Sequence, residues 1–399
     1  MALEQTIYRE LKATPGVWQA AALLGAFLVA AGGAWFYMEH HGHAVTGMNN
    51  QIVWGLPHVF AIFLIVAASG ALNVASIASV FGNKHYKPMG RFSSLLAITL
   101  LVGGLAIVVL DLGRADRLIV AMTTYNFKSI FAWNILLYNG FIAITAVYLV
   151  LQMMRRLDYK WVKLAGLVAF LWRLALTTGT GSIFGWLVAR PGYDAAIMAP
   201  LFVMMSFAFG LAVFILVLLT LFRLNDRPIG DELLKRMGRL LGIFAAAVLY
   251  FTAVQYLTAS YAAEHGDMVR FILFEGGIYT LLFWGVQVVL GGFVPIALVF
   301  LNPSRSSTLL ASILVVIGGF AQVYVIVIGG QAFPLQIFPG FEVVEGFHEG
   351  IVNPYTPSIW ELMLGLGGVA LALFAAGLGA KILRVLPTNL SDANLAAKG

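Results

Sequence analysis

Residues 54–77 read WGLPHVFAIFLIVAASGALNVASI, without a single Asp, Glu, Lys or Arg. As α-helix, about 20 apolar residues cross the roughly 30 Å hydrocarbon core of a bilayer. This stretch is therefore predicted to span a membrane. Working outward, nine more stretches qualify, so that the full set is about 17–38, 52–81, 92–112, 129–154, 161–179, 196–222, 237–260, 271–301, 307–329 and 357–384. The fifth is the weakest, because Arg173 interrupts it and TTGTGSIFGW (177–186) follows; a broken or re-entrant segment is expected there. Residues 223–236 are expected to include a surface helix. The fold class read from this pattern is all-α: one polytopic membrane domain over residues 1–399, about ten transmembrane helices in two adjoining bundles.

Composition agrees. Of 399 residues, 61% are hydrophobic and 11% are charged, against about 45–50% and 25% in globular domains. A soluble domain of this size could not coat its surface, and a disordered chain would be far more polar. Cysteine is absent, which removes disulfides, cysteine-ligated iron–sulfur clusters, covalent c-type haem and thiol chemistry from this chain. The first residues carry Glu4, Arg9, Glu10 and Lys12 ahead of a full-length apolar run, unlike a cleavable signal. The net charge of +6 does not point to nucleic acid. It follows the positive-inside rule. Only Arg114, Arg117, Lys128, Arg173, Arg190 and Arg270 of the 24 basic residues fall outside if the N-terminus is cytoplasmic. Both termini are thus expected in the cytoplasm of a cell whose inner membrane holds the chain.

Ionisable groups at membrane depth are costly and mark function by default. Most of them map to the outer half. In LDLGRADR (110–117), Asp111 and Arg114 are three apart and would pair if the helix continued. His58 sits in WGLPHVF, with Pro57 suited to a first helical turn. A histidine there can bond a carbonyl oxygen and pass a proton near neutral pH. Ser69, Asn73 and Ser76 continue down the same span as a sparse polar file. Arg173 needs a carboxylate, with Asp111 or Glu275 expected. Glu361 lies in the same outer layer. Tyr125, Trp133 and Asn134 could wall and bond a flat head group. Each of these residues also has a plainer role, as belt aromatic, helix-end ion pair or interhelical bond. Haem is unlikely, because only His58 of the seven histidines lies inside a span. No Walker A, dinucleotide-binding fingerprint, HExxH or metal-ligand spacing is present.

Span two, LDLGRADR, the GGFVPIAL end of span eight (291–298) and PSIWELMLGLGGVAL (357–371) together resemble the NrfD/PsrC family of polysulfide reductase-like membrane subunits. Within it the chain resembles the ten-span branch, and most of all the NrfD-like subunits of Dsr complexes of dissimilatory sulfur metabolism. The resemblance implies quinone (menaquinone or ubiquinone) exchanging electrons and protons with a periplasmic iron–sulfur subunit. Further implied partners are a multihaem cytochrome c, a haem b membrane subunit and a cytoplasmic iron–sulfur subunit. His58, Asp111, Arg114, Tyr125, Trp133 and Asn134 would bind quinone. Asp111, Arg173, Glu275, Glu361 and Asn73 would form ion pairs or a proton path. Catalysis would belong to the complex rather than to this subunit alone. The rival readings are a secondary transporter, which would show matching broken helices and a midplane charge, and an anchor with no quinone site of its own.

Overall fold

A computed structural model describes residues 6–154, 157–335 and 350–396. Arg155, Arg156, Lys398, His348 and most of the outer loop 330–356 lie outside the described residues. Among the described residues there are ten long apolar helices: α1 (Pro15–His41), α2 (Leu56–Ser79), α3 (Gly90–Leu110), α4 (Ile130–Met153), α5 (Tyr159–Trp186), α6 (Met198–Leu224), α7 (Asp231–Tyr261), α8 (Ile278–Leu301), α9 (Arg305–Ala332) and α10 (Ile359–Ile382). At about 1.5 Å per residue, even a 21-residue helix spans the hydrocarbon core. Large apolar side chains such as Leu23, Val29, Val147, Leu171, Leu257 and Phe293 are exposed, the inverse of a soluble surface. The protein is an all-α, multi-pass integral membrane protein.

The helices α2–α5 pack as one bundle and α6–α9 as another. The two meet where α2 lies against α6 and α9, and where α5 lies against α6. α10 covers the outside of α3 and also reaches α2, and α1 packs on α10. α2 and α6 are buried along most of their length, whereas α1 faces outward. The crossing of α2 and α6 is backbone on backbone. A Cβ on Gly70 would sit 1.5 Å from the Ser206 carbonyl oxygen, and one on Gly210 would sit 2.2 Å from the Gly70 carbonyl carbon. Only glycine permits that approach.

Helix starts follow their sequence signals. Thr14 caps α1 ahead of Pro15, Pro57 occupies the first turn of α2, and Ser358 with Glu361 forms a reciprocal capping box on α10. Two expectations are corrected. The fifth span is unbroken: Thr177, Thr180 and Ser182 turn their hydroxyls back onto the carbonyls of Arg173, Leu176 and Thr178. The irregular backbone lies instead along the eighth and ninth spans. Phe271–Glu275, Leu282–Phe293 and Val325–Gly329 are π-helical, and Gly277 adopts φ +58°. No surface helix fills 223–236 either; a loop runs to Gly230 and α7 begins at Asp231.

Both tails meet at the end of the molecule that carries most of the basic residues. Tyr8–Arg9 pairs antiparallel with Leu386–Pro387. Arg227 donates to the carbonyls of Glu10, Leu386 and Pro387, and Arg384 bonds Glu10 at 2.7 Å. The salt bridge from Arg384 holds the exposed Glu10 carboxyl below its ordinary pKa.

Candidate functional site

At the opposite end, the last residue of α3's final turn sits beside the first turn of α2. Asp111 caps α3 with φ −90° and ψ 0°, and its side chain is almost fully buried. Pro57 starts α2 so that His58 faces that carboxylate: His58 Nδ1 lies 3.0 Å from Asp111 Oδ2. From the loop after α1, His43 Nε2 approaches the other oxygen, Oδ1, at 3.8 Å and lies 3.0 Å from the Asp111 backbone oxygen. One buried carboxylate is thus flanked by two imidazoles, each partly exposed (23% for His58, 33% for His43). The Asp111 carboxylate raises the His43 pKa above its ordinary value, although partial burial opposes this. The His58 Nε2 makes no hydrogen bond among the described residues.

The surroundings are aromatic. Trp54 lies against His58 with ring centroids 6.2 Å apart, and also contacts Phe131, Phe184 and Tyr193. Val53, Ile119, Val120, Phe127 and Phe131 expose large apolar side chains at this end. The segment entering α2 is pinned by amide groups. Gln331 Oε1 accepts from the N–H groups of Val53 and Trp54, and Arg190 donates to the Gln51 and Gln331 carbonyls. Leu56 N–H donates to the Tyr355 hydroxyl, which donates to Glu361.

Several residues singled out by sequence sit differently. Asp111 pairs with neither Arg114 nor Arg173. The helix stops at Leu110, and Arg114 has left helical geometry (φ −137°, ψ 64°), so the three-residue spacing no longer defines a shared face. Arg114 instead makes a two-pronged bond to Asp116 at 2.8 and 2.9 Å, both exposed; the pair lowers the Asp116 pKa. Arg173 is fully buried and takes Asn73 as its partner, not an acid. Glu275 pairs with Arg270 at 2.6 Å on the surface. Glu361 is fully buried, and its oxygens accept from Gly47 N, Ser358 N and the Tyr355 hydroxyl. Asn134 spends its amide on Ile130 and Gly179, tying α4 to α5. Trp133 donates to Phe127 O, and Tyr125 contacts the Phe127 ring.

Residues that sequence reasoning left out of the site are His43, Trp54, Arg190, Tyr193, Gln331 and Tyr355. His43 was visible as one of a loop histidine trio, but nothing local said that it, rather than His40 or His41, would reach Asp111. Among the described residues, no group of three or more His, Asp or Glu side chains is arranged to hold a metal ion.

A buried carboxylate between two histidines thus sits on a double bundle of helices long and apolar enough to cross a membrane. The family profile described as "Polysulphide reductase, NrfD" matches residues 44–335, and the chain belongs to that family. It is 28% identical over 367 residues to the Hdr-like menaquinol oxidoreductase integral membrane subunit of Archaeoglobus fulgidus, covering 90% of this chain and 91% of that one. It is 24% identical over 376 residues to one of the subunits of the selenate reductase of Mesobacillus selenatarsenatis, covering 84% and 87%.

Proposed function

We propose that this protein is the quinone-interacting membrane subunit of a multi-subunit redox complex, with its head-group site at His58, Asp111 and His43. The observation that carries this reading is the buried Asp111 carboxylate clamped between the two imidazoles. Trp54 and Phe131 supply an apolar wall, and the unbonded His58 Nε2 supplies a polar contact, so the residues present fit a ring with oxygen substituents. A bound quinone would supply two-electron, two-proton chemistry. With the ring proton on Nδ1, the nitrogen 3.0 Å from Asp111 Oδ2, His58 Nε2 is bare and takes a proton from a hydroxyl. Asp111 stabilises the imidazolium that forms. His43, on the same carboxylate and more exposed, connects the site to water at the loop. Glu361 and Tyr355 hold the α2 start, so they position His58 without touching the head group.

The distribution of basic residues supports placing this end in the periplasm, with the paired tails in the cytoplasm. The electrons then pass to or from an iron–sulfur partner docked at the same end. The finer assignment, to a Dsr complex with cytochrome c, haem b and cytoplasmic iron–sulfur subunits, rests on sequence resemblance. The protein composition of the gently purified complex tests it.

A photoreactive naphthoquinone is the direct test of the site. Cross-linked peptides from residues 43–58 and 111–131 are expected; labelling confined to α6–α9 would overturn the assignment.

A further inference from the structure

Midway through the first bundle, Arg173 carries a charge that has no counter-ion among the described residues. It lies on α5 and is fully buried. Its Nη2 donates to Asn73 Oδ1 on α2 at 3.0 Å, while Nε and Nη1 have no hydrogen-bond partner among the described residues. Two phenyl rings flank the guanidinium, Phe170 and Phe207, whose centroids lie 4.7 and 4.8 Å away. Buried donors are seldom left unpaired, and an orphan of this kind marks a place for water or an ion.

Further polar side chains lie above and below the guanidinium on the same helices, in separate hydrogen-bonded groups. Toward the His58 end, Ser69 and Thr177 share a hydroxyl–hydroxyl bond of 2.6 Å, and one turn further the Thr180 hydroxyl meets the Tyr138 hydroxyl at 3.2 Å. Toward the tail end, Ser76 follows Asn73 by about one turn of α2 and Ser79 by about one more, and Tyr148 donates to Ser79 at 2.7 Å. All but the partly buried Tyr138 are buried. A file of hydroxyls and amides of this length can conduct protons once hydrated. Its middle station is a fixed cation, and a fixed cation in a narrow polar passage repels hydronium.

We infer that Arg173 is an electrostatic plug: it binds the water of this polar file through its two free donors and, by its unpaired charge, keeps the first bundle proton-tight between the two membrane faces. Protons handled at the His58 end are thereby confined to that end. The inference stands apart from the quinone reading, since it concerns passive conductance and needs neither quinone nor a partner subunit.

The test uses the full chain reconstituted in phosphatidylethanolamine–phosphatidylglycerol vesicles with a trapped pH dye. A potassium diffusion potential set by valinomycin drives protons. Wild type is expected to conduct no faster than protein-free vesicles. Asn73→Asp places a carboxylate of the same shape against the guanidinium, neutralising it and giving a buried pair that holds the fold together; proton flux is expected to rise at least tenfold. Arg173→Lys keeps the charge and is expected to stay tight. The plug is refuted if Asn73→Asp is as tight as wild type, if Arg173→Lys leaks as much as Asn73→Asp, or if wild type itself leaks. Should Arg173→Lys fail to insert, the Asn73→Asp flux against wild type decides alone.

Discussion

His58 and Asp111 differ from every other polar pair in the described residues by lying between two bundle helices and a loop with part of the imidazole still open. Replacing His58 by Gln, or Asp111 by Asn, is expected to lower quinone turnover of the intact complex by about 10²-fold or more, the usual weight of a positioned acid–base group. Arg114→Gln touches only an exposed pair with Asp116 and is expected to leave turnover near wild type. Steady-state rates of the purified complexes check all three, and undiminished turnover in His58→Gln would remove that residue from the chemistry. His43 adds a pH signature. Its pKa is raised in the folded protein by Asp111, so the stability it contributes is complete below its unfolded value of about 6.5. That contribution is lost as pH rises through the higher folded value. The thermal midpoint of wild type should therefore decline across that window, and His43→Gln should flatten the decline. The two histidines show what one-dimensional reading can do. His58 declared itself by standing alone in an apolar run, whereas His43 was hidden among neighbours of the same type.

At the level of helices, hydropathy gave the all-α class and about ten spans, but it misjudged which were regular. A run of threonines, glycines and serine looks like a break; in an apolar setting those hydroxyls bond the preceding turn and the helix continues. The π-helical stretch of α8 ends just before Pro295, which lies in the first turn of Val294–Leu301. Likewise Arg114 seemed to share a face with Asp111 because spacing says nothing about where a helix ends. Two consequences are measurable here. Gly70→Ala drives a methyl into the Ser206 carbonyl and is expected to destabilise the α2–α6 crossing by about 1–3 kcal/mol, seen as a lower unfolding midpoint in detergent. Glu361→Ala strips the acceptor from Gly47 N, Ser358 N and the Tyr355 hydroxyl at once. A buried donor left unpaired costs about 1–3 kcal/mol, so this variant should fall further than Gly70→Ala. An unchanged midpoint would mean that the loop around Gly47 is held by other contacts.

For the molecule as a whole, the asymmetry of Lys and Arg carries the proposed orientation of the spans. The chain contains no cysteine, which makes single-cysteine labelling clean. Thr124→Cys is expected to react with an impermeant maleimide added outside intact cells, and Asn83→Cys only after lysis; the reverse pattern would invert the proposed topology. Class and span number were thus legible from composition and hydropathy, because the bilayer imposes them residue by residue. The pairing of distant groups was not, since Gln331 reaches Trp54 and Tyr355 reaches Leu56 only through the packing of helices far apart in the chain.

The stretch shared with the family, 44–335, takes in α2–α9 and omits α1 and α10. Yet the N–H of Leu56, two residues before His58, is braced by Tyr355 and through it by Glu361 at the head of α10. The footing of the His58 imidazole is therefore borrowed from the head of α10. Grafting the tail of another ten-span relative onto α2–α9 should retune that imidazole, through its tilt, without altering any side chain of the proposed head-group site.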